Sequence, residues 1–123
     1  MKQKVHSVSY LAKAEFEFKN GVYDLVALPS GAEVVKMSLE VVGSPTAGSV
    51  SVGFKFKDEI DKNYFLTLEL DSNSYNKVAT SAKDYTATDN KVVVAEVKNA
   101  NGTDIKGMLR VLYFLPSVIE VEY

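Results

Sequence analysis

The sequence has no cysteine and a single histidine, and these two scarcities remove most of the chemistry open to a small protein. Without cysteine there is no thiol nucleophile, no disulfide and none of the common structural zinc sites. His6 stands alone in a polar N-terminal lead, with no second imidazole to share a metal and no orienting carboxylate beside it. It reads as a solvated or interface residue. There is no Gly-x-Ser-x-Gly elbow, no phosphate-binding glycine loop and no His-Glu-x-x-His pattern. No enzyme activity, cofactor or metal is expected.

Long apolar runs are missing too. Charge interrupts every hydrophobic stretch well short of the roughly 20 residues a membrane-spanning helix needs, so no membrane partner is expected. The start, Met1 to Val8, is basic but has no following apolar block, and is not expected to act as a secretion signal. The formal charge of −2 carries no basic excess, and only Lys55 and Lys57 share a strand face, which argues against a nucleic-acid partner.

What is present is period-two alternation, while a helical period is hard to find. In 123 residues, enough for one domain with its own core, about eight short strands are separated by turn signals. Ala14, Phe16 and Phe18 alternate with Glu15 and Glu17, and Asn20-Gly21 suggests a tight hairpin into Val22 to Leu28. Pro29-Ser30-Gly31 is a turn. Glu33 to Val42 follows, with Val35, Met37, Leu39 and Val41 expected to face in. A Gly/Ser/Pro loop leads to Ser49 to Lys57, and the polar stretch Asp58 to Asn63 leads to Tyr64 to Leu70. A short strand near Val78 to Ser81 is expected in the polar region 71–90. Lys91 to Val97 and Ile105 to Leu115 suggest a second hairpin. Pro116 then breaks the strand before Val118 to Tyr123 alternates again. The expected fold is an all-β antiparallel sandwich of jelly-roll type. It divides into an N-terminal arm over 1–12 and a single domain over 13–123, with a C-terminal tail at 116–123.

The clustered carboxylates favour no chemistry. Asp58, Glu59 and Asp61 lack EF-hand spacing, and Glu15 with Glu17, like Glu120 with Glu122, read as the wet faces of strands. Asn101-Gly102-Thr103 matches a glycosylation acceptor but reads as a turn. Two apolar segments instead suggest contact-making. These are the lead, with Val5, His6, Val8, Tyr10 and Leu11, and the tail, with Val118, Ile119, Val121 and Tyr123. Such segments either fold back as edge strands or pair with another subunit's sheet. Tyr75 and Tyr85, in the polar region, are candidates for a sugar-binding platform, so a carbohydrate-binding or adhesive module is the alternative reading.

The run Tyr23 to Val35, with Leu28-Pro29-Ser30-Gly31-Ala32 before a valine-rich strand, resembles small capsid decoration (cement) proteins of tailed bacteriophages. So do the loop Gly43 to Gly48 before Ser49-Val50-Ser51-Val52-Gly53, the strand Val92-Val93-Val94, and the run Gly107 to Tyr113. The resemblance covers about Gly21 to Tyr113 and not the tail beyond. It implies a virion structural protein on the outer surface of the head, assembled in the host cytoplasm. Its implied partners are the major capsid protein and sister copies, as a homo-oligomer with a trimer favoured.

Overall fold

The computed structural model describes residues 2–57, 59–71 and 77–122. Eleven strands run through them: β1 (Lys2–His6), β2 (Ser9–Glu17), β3 (Gly21–Leu28), β4 (Glu33–Val42), β5 (Ala47–Phe56) and β6 (Glu59–Asp71), then β7 (Val78–Ser81), β8 (Tyr85–Thr86), β9 (Lys91–Asn101), β10 (Lys106–Phe114) and β11 (Val118–Glu122). Every strand pairing is antiparallel.

Two sheets form the sandwich. One has the order β2-β10-β4-β7, with β8 also on β4, and the other has the order β3-β9-β5-β6. Chain order and sheet order together give the jelly roll, because nearly every connection crosses from one sheet to the other. Of the links between sandwich strands, only β5–β6 and β7–β8 stay within a sheet. Both expected hairpins therefore turn out to be crossings. β2 and β3 lie in opposite sheets, as do β9 and β10. Asn20 does not adopt the positive φ of a two-residue hairpin turn; its Oδ1 instead accepts the Ala100 N–H at 2.8 Å. Phe18 N–H donates to Ile105 at 3.1 Å on the way across. An Asn-Gly pair reverses the chain, but it does not choose the sheet that receives it.

Alternation places Phe16, Leu39, Val50, Val52, Val93, Ala95, Val97, Leu109 and Val111 in the shared core. Each buried aliphatic side chain contributes about 1.5–3 kcal/mol. One inward position differs from expectation. Val34 is fully buried and Val35 only half-buried, because a β-bulge against β10 skips Val35 and resets the face of β4. The stretch expected as a polar loop also differs, since Glu59 to Asn63 belongs to β6. Glu59 and Asp61 sit in register with Phe56 and Phe54, while Asp58 lies outside the described residues. Among the described residues no group of three acidic or imidazole side chains could hold a metal, and no helix is long and apolar enough to cross a membrane.

Candidate functional site

The lead and the tail come together at one place. β1 pairs with β11 as a separate two-stranded ribbon, from Lys2↔Glu122 to His6↔Val118. The ribbon prolongs the β2–β10 ladder, which ends at Ser9↔Phe114. Two residues, Ser7 and Val8, bridge the break on one side and three, Leu115 to Ser117, bridge it on the other. The extra residue makes a bulge, and Pro116, which has no N–H to give a ladder, occupies it. β4 ends its pairing with β10 at Glu33↔Phe114, and among the described residues no third strand pairs with the ribbon. Five residues of strand carry it about 17 Å.

Three contacts fix the root of the ribbon. The Leu115 N–H donates to the Val8 carbonyl at 2.8 Å. The His6 Nδ1–H donates to the Leu115 carbonyl at 3.0 Å. Pro116 seats against Gly31 in the turn between β3 and β4, where a Cβ on Gly31 would stand 2.8 Å from the Pro116 Cβ.

Register also sorts the ribbon's two faces. Lys2 opposite Glu122 and Lys4 opposite Glu120 alternate with Gln3 opposite Val121 and Val5 opposite Ile119. By residue type, the first set pairs basic with acidic positions and the second is mainly apolar. Where the ribbon joins the sandwich, Tyr10 is half exposed and meets buried Tyr113 edge-on, with centroids 5.9 Å apart. Leu11 is 55% exposed and lies opposite Leu112 of β10. Val8 is exposed as well.

The structure thus brings Val5, His6, Val8, Tyr10, Leu11, Val118, Ile119 and Val121 into one region. Tyr123 lies outside the described residues. β2 begins at Ser9, so Ser9 to Ala12 belong to the sheet and the free arm is shorter than the alternation suggests. Leu112, Phe114 and Val35 join this region, and the sequence reading passed over them. The signal for the first two was available, since Leu109, Val111 and Tyr113 alternate with Met108, Arg110, Leu112 and Phe114.

Tyr85 is elsewhere, in a cluster of rings at the β5–β6–β8 end. It stacks on Phe54 at 5.0 Å and meets Tyr64 and Phe65 nearly edge-on. Lys83 covers Tyr64 at 3.7 Å and Lys91 covers Phe54 at 4.4 Å, which are cation–π contacts. Tyr75 lies outside the described residues.

A jelly roll that presents a strand pair beyond the sandwich and an apolar shoulder offers surfaces for contact with other chains. The chain is 73% identical to a chain of the acidic stable capsid structure of Helicobacter pylori bacteriophage KHP30, covering 100% of both, with a TM-score of 0.87. It is also similar in fold to a chain of the cyanophage Pam1 capsid asymmetric unit, at 19% identity and a TM-score of 0.66 over 88% of this chain and 85% of that one. No protein-family model and no curated protein matches the sequence. The protein is a capsid-associated structural protein of a bacteriophage, located in the virion. It belongs to the same family as the KHP30 capsid chain.

Proposed function

We propose that this protein is a decoration protein, which binds the outside of the major capsid lattice and braces the head. The observation that carries the reading is the β1–β11 ribbon, rooted at Gly31 and Leu115 and, among the described residues, paired with no third strand. An isolated pair of strands is marginally stable in water. Its apolar positions, Val5, Val118, Ile119 and Val121, and its strand edges gain most when another chain covers them. In this reading the ribbon, with Val8, Tyr10 and Leu11 at its base, contacts the major capsid protein and sister copies in a trimer assembled in the host cytoplasm. A ligand that binds the assembled shell but not its free subunits stabilises the shell by mass action, and repeated weak sites suffice. Because the KHP30 capsid is an acidic stable one, bracing against acid is part of the proposal.

Purified heads stripped of this protein test it. Added back, the full chain is expected to co-sediment with the heads and to restore their heat and acid tolerance. A chain lacking residues 1–7 and 117–123 is expected to fold, keep the β2–β10 ladder and bind heads at least tenfold more weakly, roughly the loss of one or two buried apolar anchors. Normal binding by that truncated chain would remove the ribbon from the interface. Failure of the full chain to bind heads at all would overturn the decoration role.

A further inference from the structure

We propose that the outer face of the β2-β10-β4-β7 sheet docks on the same face of a second copy of this chain, about a two-fold axis. The two sheets treat their outward charges differently. On the β3-β9-β5-β6 sheet they are paired within the chain, Lys55 with Asp24 at 2.6 Å and Glu96 with both Lys62 and Lys98. On the other sheet, among the described residues, the side chains of Lys13, Glu15, Lys36, Glu40 and Arg110 have no hydrogen bond or ion pair within the chain. Alternation puts all five on the outside. Leu109 and Val111 of β10 are buried while Met108, Arg110 and Leu112 are half-buried, and β2 and β4 alternate in the same way.

Register arranges these side chains in rows across the strands. One row is Lys13, Arg110 and Ser38, and the next is Glu15, Met108 and Glu40. Lys13 and Arg110 stand directly opposite each other, and like charges so placed destabilise a sheet that leaves them unanswered. Arg110 is also the one arginine of the sequence, a residue type enriched at interfaces. A basic row beside an acidic row is self-complementary. A two-fold axis running across the strands between them sets each Lys13 over the partner's Glu15 and each Arg110 between the partner's Glu15 and the partner's Glu40. The same operation brings the partner's Leu112 over the apolar cleft lined by Met108 and Val42, of which Val42 is 55% exposed. At strand spacings of about 4.8 Å the face covers roughly 500 Å² per copy. The total of about 1,000 Å² is at the lower bound for a specific interface, so the pairing is weak in solution. It uses residues other than those of the β1–β11 ribbon and does not rest on the decoration reading. Copies held side by side on a common surface gain from their high effective concentration.

Charge exchange in the full chain tests the pairing, with self-association followed by sedimentation velocity at about 0.05 M and about 0.5 M salt. Wild-type association is expected to weaken at the higher salt. Arg110→Glu sets acid against acid and Glu40→Arg sets base against base, so each variant alone is expected to self-associate roughly tenfold more weakly or worse. Mixed in equal amounts, the two variants meet with opposite charges at both symmetric contacts, and association is expected to return close to the wild-type value. Lys13→Glu mixed with Glu15→Lys repeats the exchange at the neighbouring contact, so that one poorly folded variant does not decide the result. No wild-type self-association up to about 1 mM overturns the proposal. So does self-association that Arg110→Glu leaves unchanged, or a failure of both mixtures to exceed their separate components. Unchanged self-association together with loss of binding to purified heads in Arg110→Glu would assign the face to the shell instead of a second copy.

Discussion

The ammonium of Lys62, on β6, lies 2.6 Å from a carboxylate oxygen of Glu96, in the middle of β9. Lys98 approaches the other oxygen at 3.3 Å. Glu96 points away from the core yet is buried, and so is Val94 two residues before it. The β5–β6 register shifts between Val52↔Leu66 and Phe54↔Asp61, which leaves residues 62–65 as a bulge of β6 beside Gly53. Gly53, in register with Val94, has no room for a side chain, since a Cβ there would overlap the Asp61 carbonyl. The Lys62–Glu96 pair ties this bulge to β9.

That pair has a pH signature. The hydrogen bond from Lys62, helped by Lys98, holds the Glu96 carboxyl below the usual carboxylate range, although burial pushes the other way. A depressed carboxylate contributes stability above its unfolded pKa of about 4.3, and loses it as pH falls through the folded value. Glu96→Gln is therefore expected to cost about 1–2 kcal/mol at neutral pH, with Lys62 half exposed and partly screened. The deficit should shrink below about pH 4. Urea unfolding of both chains at several pH values measures it, and a deficit that stays constant into acid contradicts the assignment.

Much of this fold was legible in the alternation. Glu33 to Val42 coincides with β4 because it has a clear apolar face bounded by polar turns, and Val78 to Ser81 coincides with β7. What did not come through was the partner of each strand. Asn20-Gly21 and the polar run after Val97 mark reversals equally well within a sheet or between sheets, and the jelly roll uses both between sheets. Bulges were also hidden, since skipping Val35 costs the sequence nothing visible yet exchanges Val34 for Val35 in the core. For the site, the lead and tail stood out as apolar segments with no evident place in the core. That they are each other's partners became apparent only from register, with Lys2 and Lys4 opposite Glu122 and Glu120.

Gly31 ties the site to the fold. Its φ of +87° lies in the left-handed region, and its bare Cα is where Pro116 rests. Gly31→Ala is expected to cost about 1–2 kcal/mol for the backbone alone. It should also push the bulge at Pro116 away. Ribbon amides and the Leu115–Val8 hydrogen bond should then lose protection by more than the global destabilisation explains. A second substitution separates the two effects: Pro116→Gly removes the clashing Cβ, and in the double variant the ribbon should regain most of its protection while the backbone cost remains. Ribbon protection that follows global stability in both variants would mean that the turn does not position the ribbon.

The ring cluster around Tyr85 yields the last prediction. Among the described residues, its hydroxyl is the one buried side-chain polar atom with no hydrogen-bond partner. Its ring meanwhile stacks on Phe54 and is met edge-on by two others. Ring and hydroxyl therefore act in opposite directions. The ring contributes apolar burial and aromatic contacts, whereas the hydroxyl has given up water without a replacement, a penalty of about 1–3 kcal/mol. Tyr85→Phe keeps every ring contact and removes the orphan oxygen, so it is expected to raise stability by about 1 kcal/mol. Tyr85→Ala removes the ring and is expected to lower stability by about 3 kcal/mol or more. Denaturation midpoints of the two variants decide the matter. A Tyr85→Phe chain less stable than the wild type would show that the hydroxyl has a partner in solution. The pair also separates packing from recognition: a sugar-binding signal lost in Tyr85→Ala has to be judged against the Phe variant, since the Ala chain has lost part of its core.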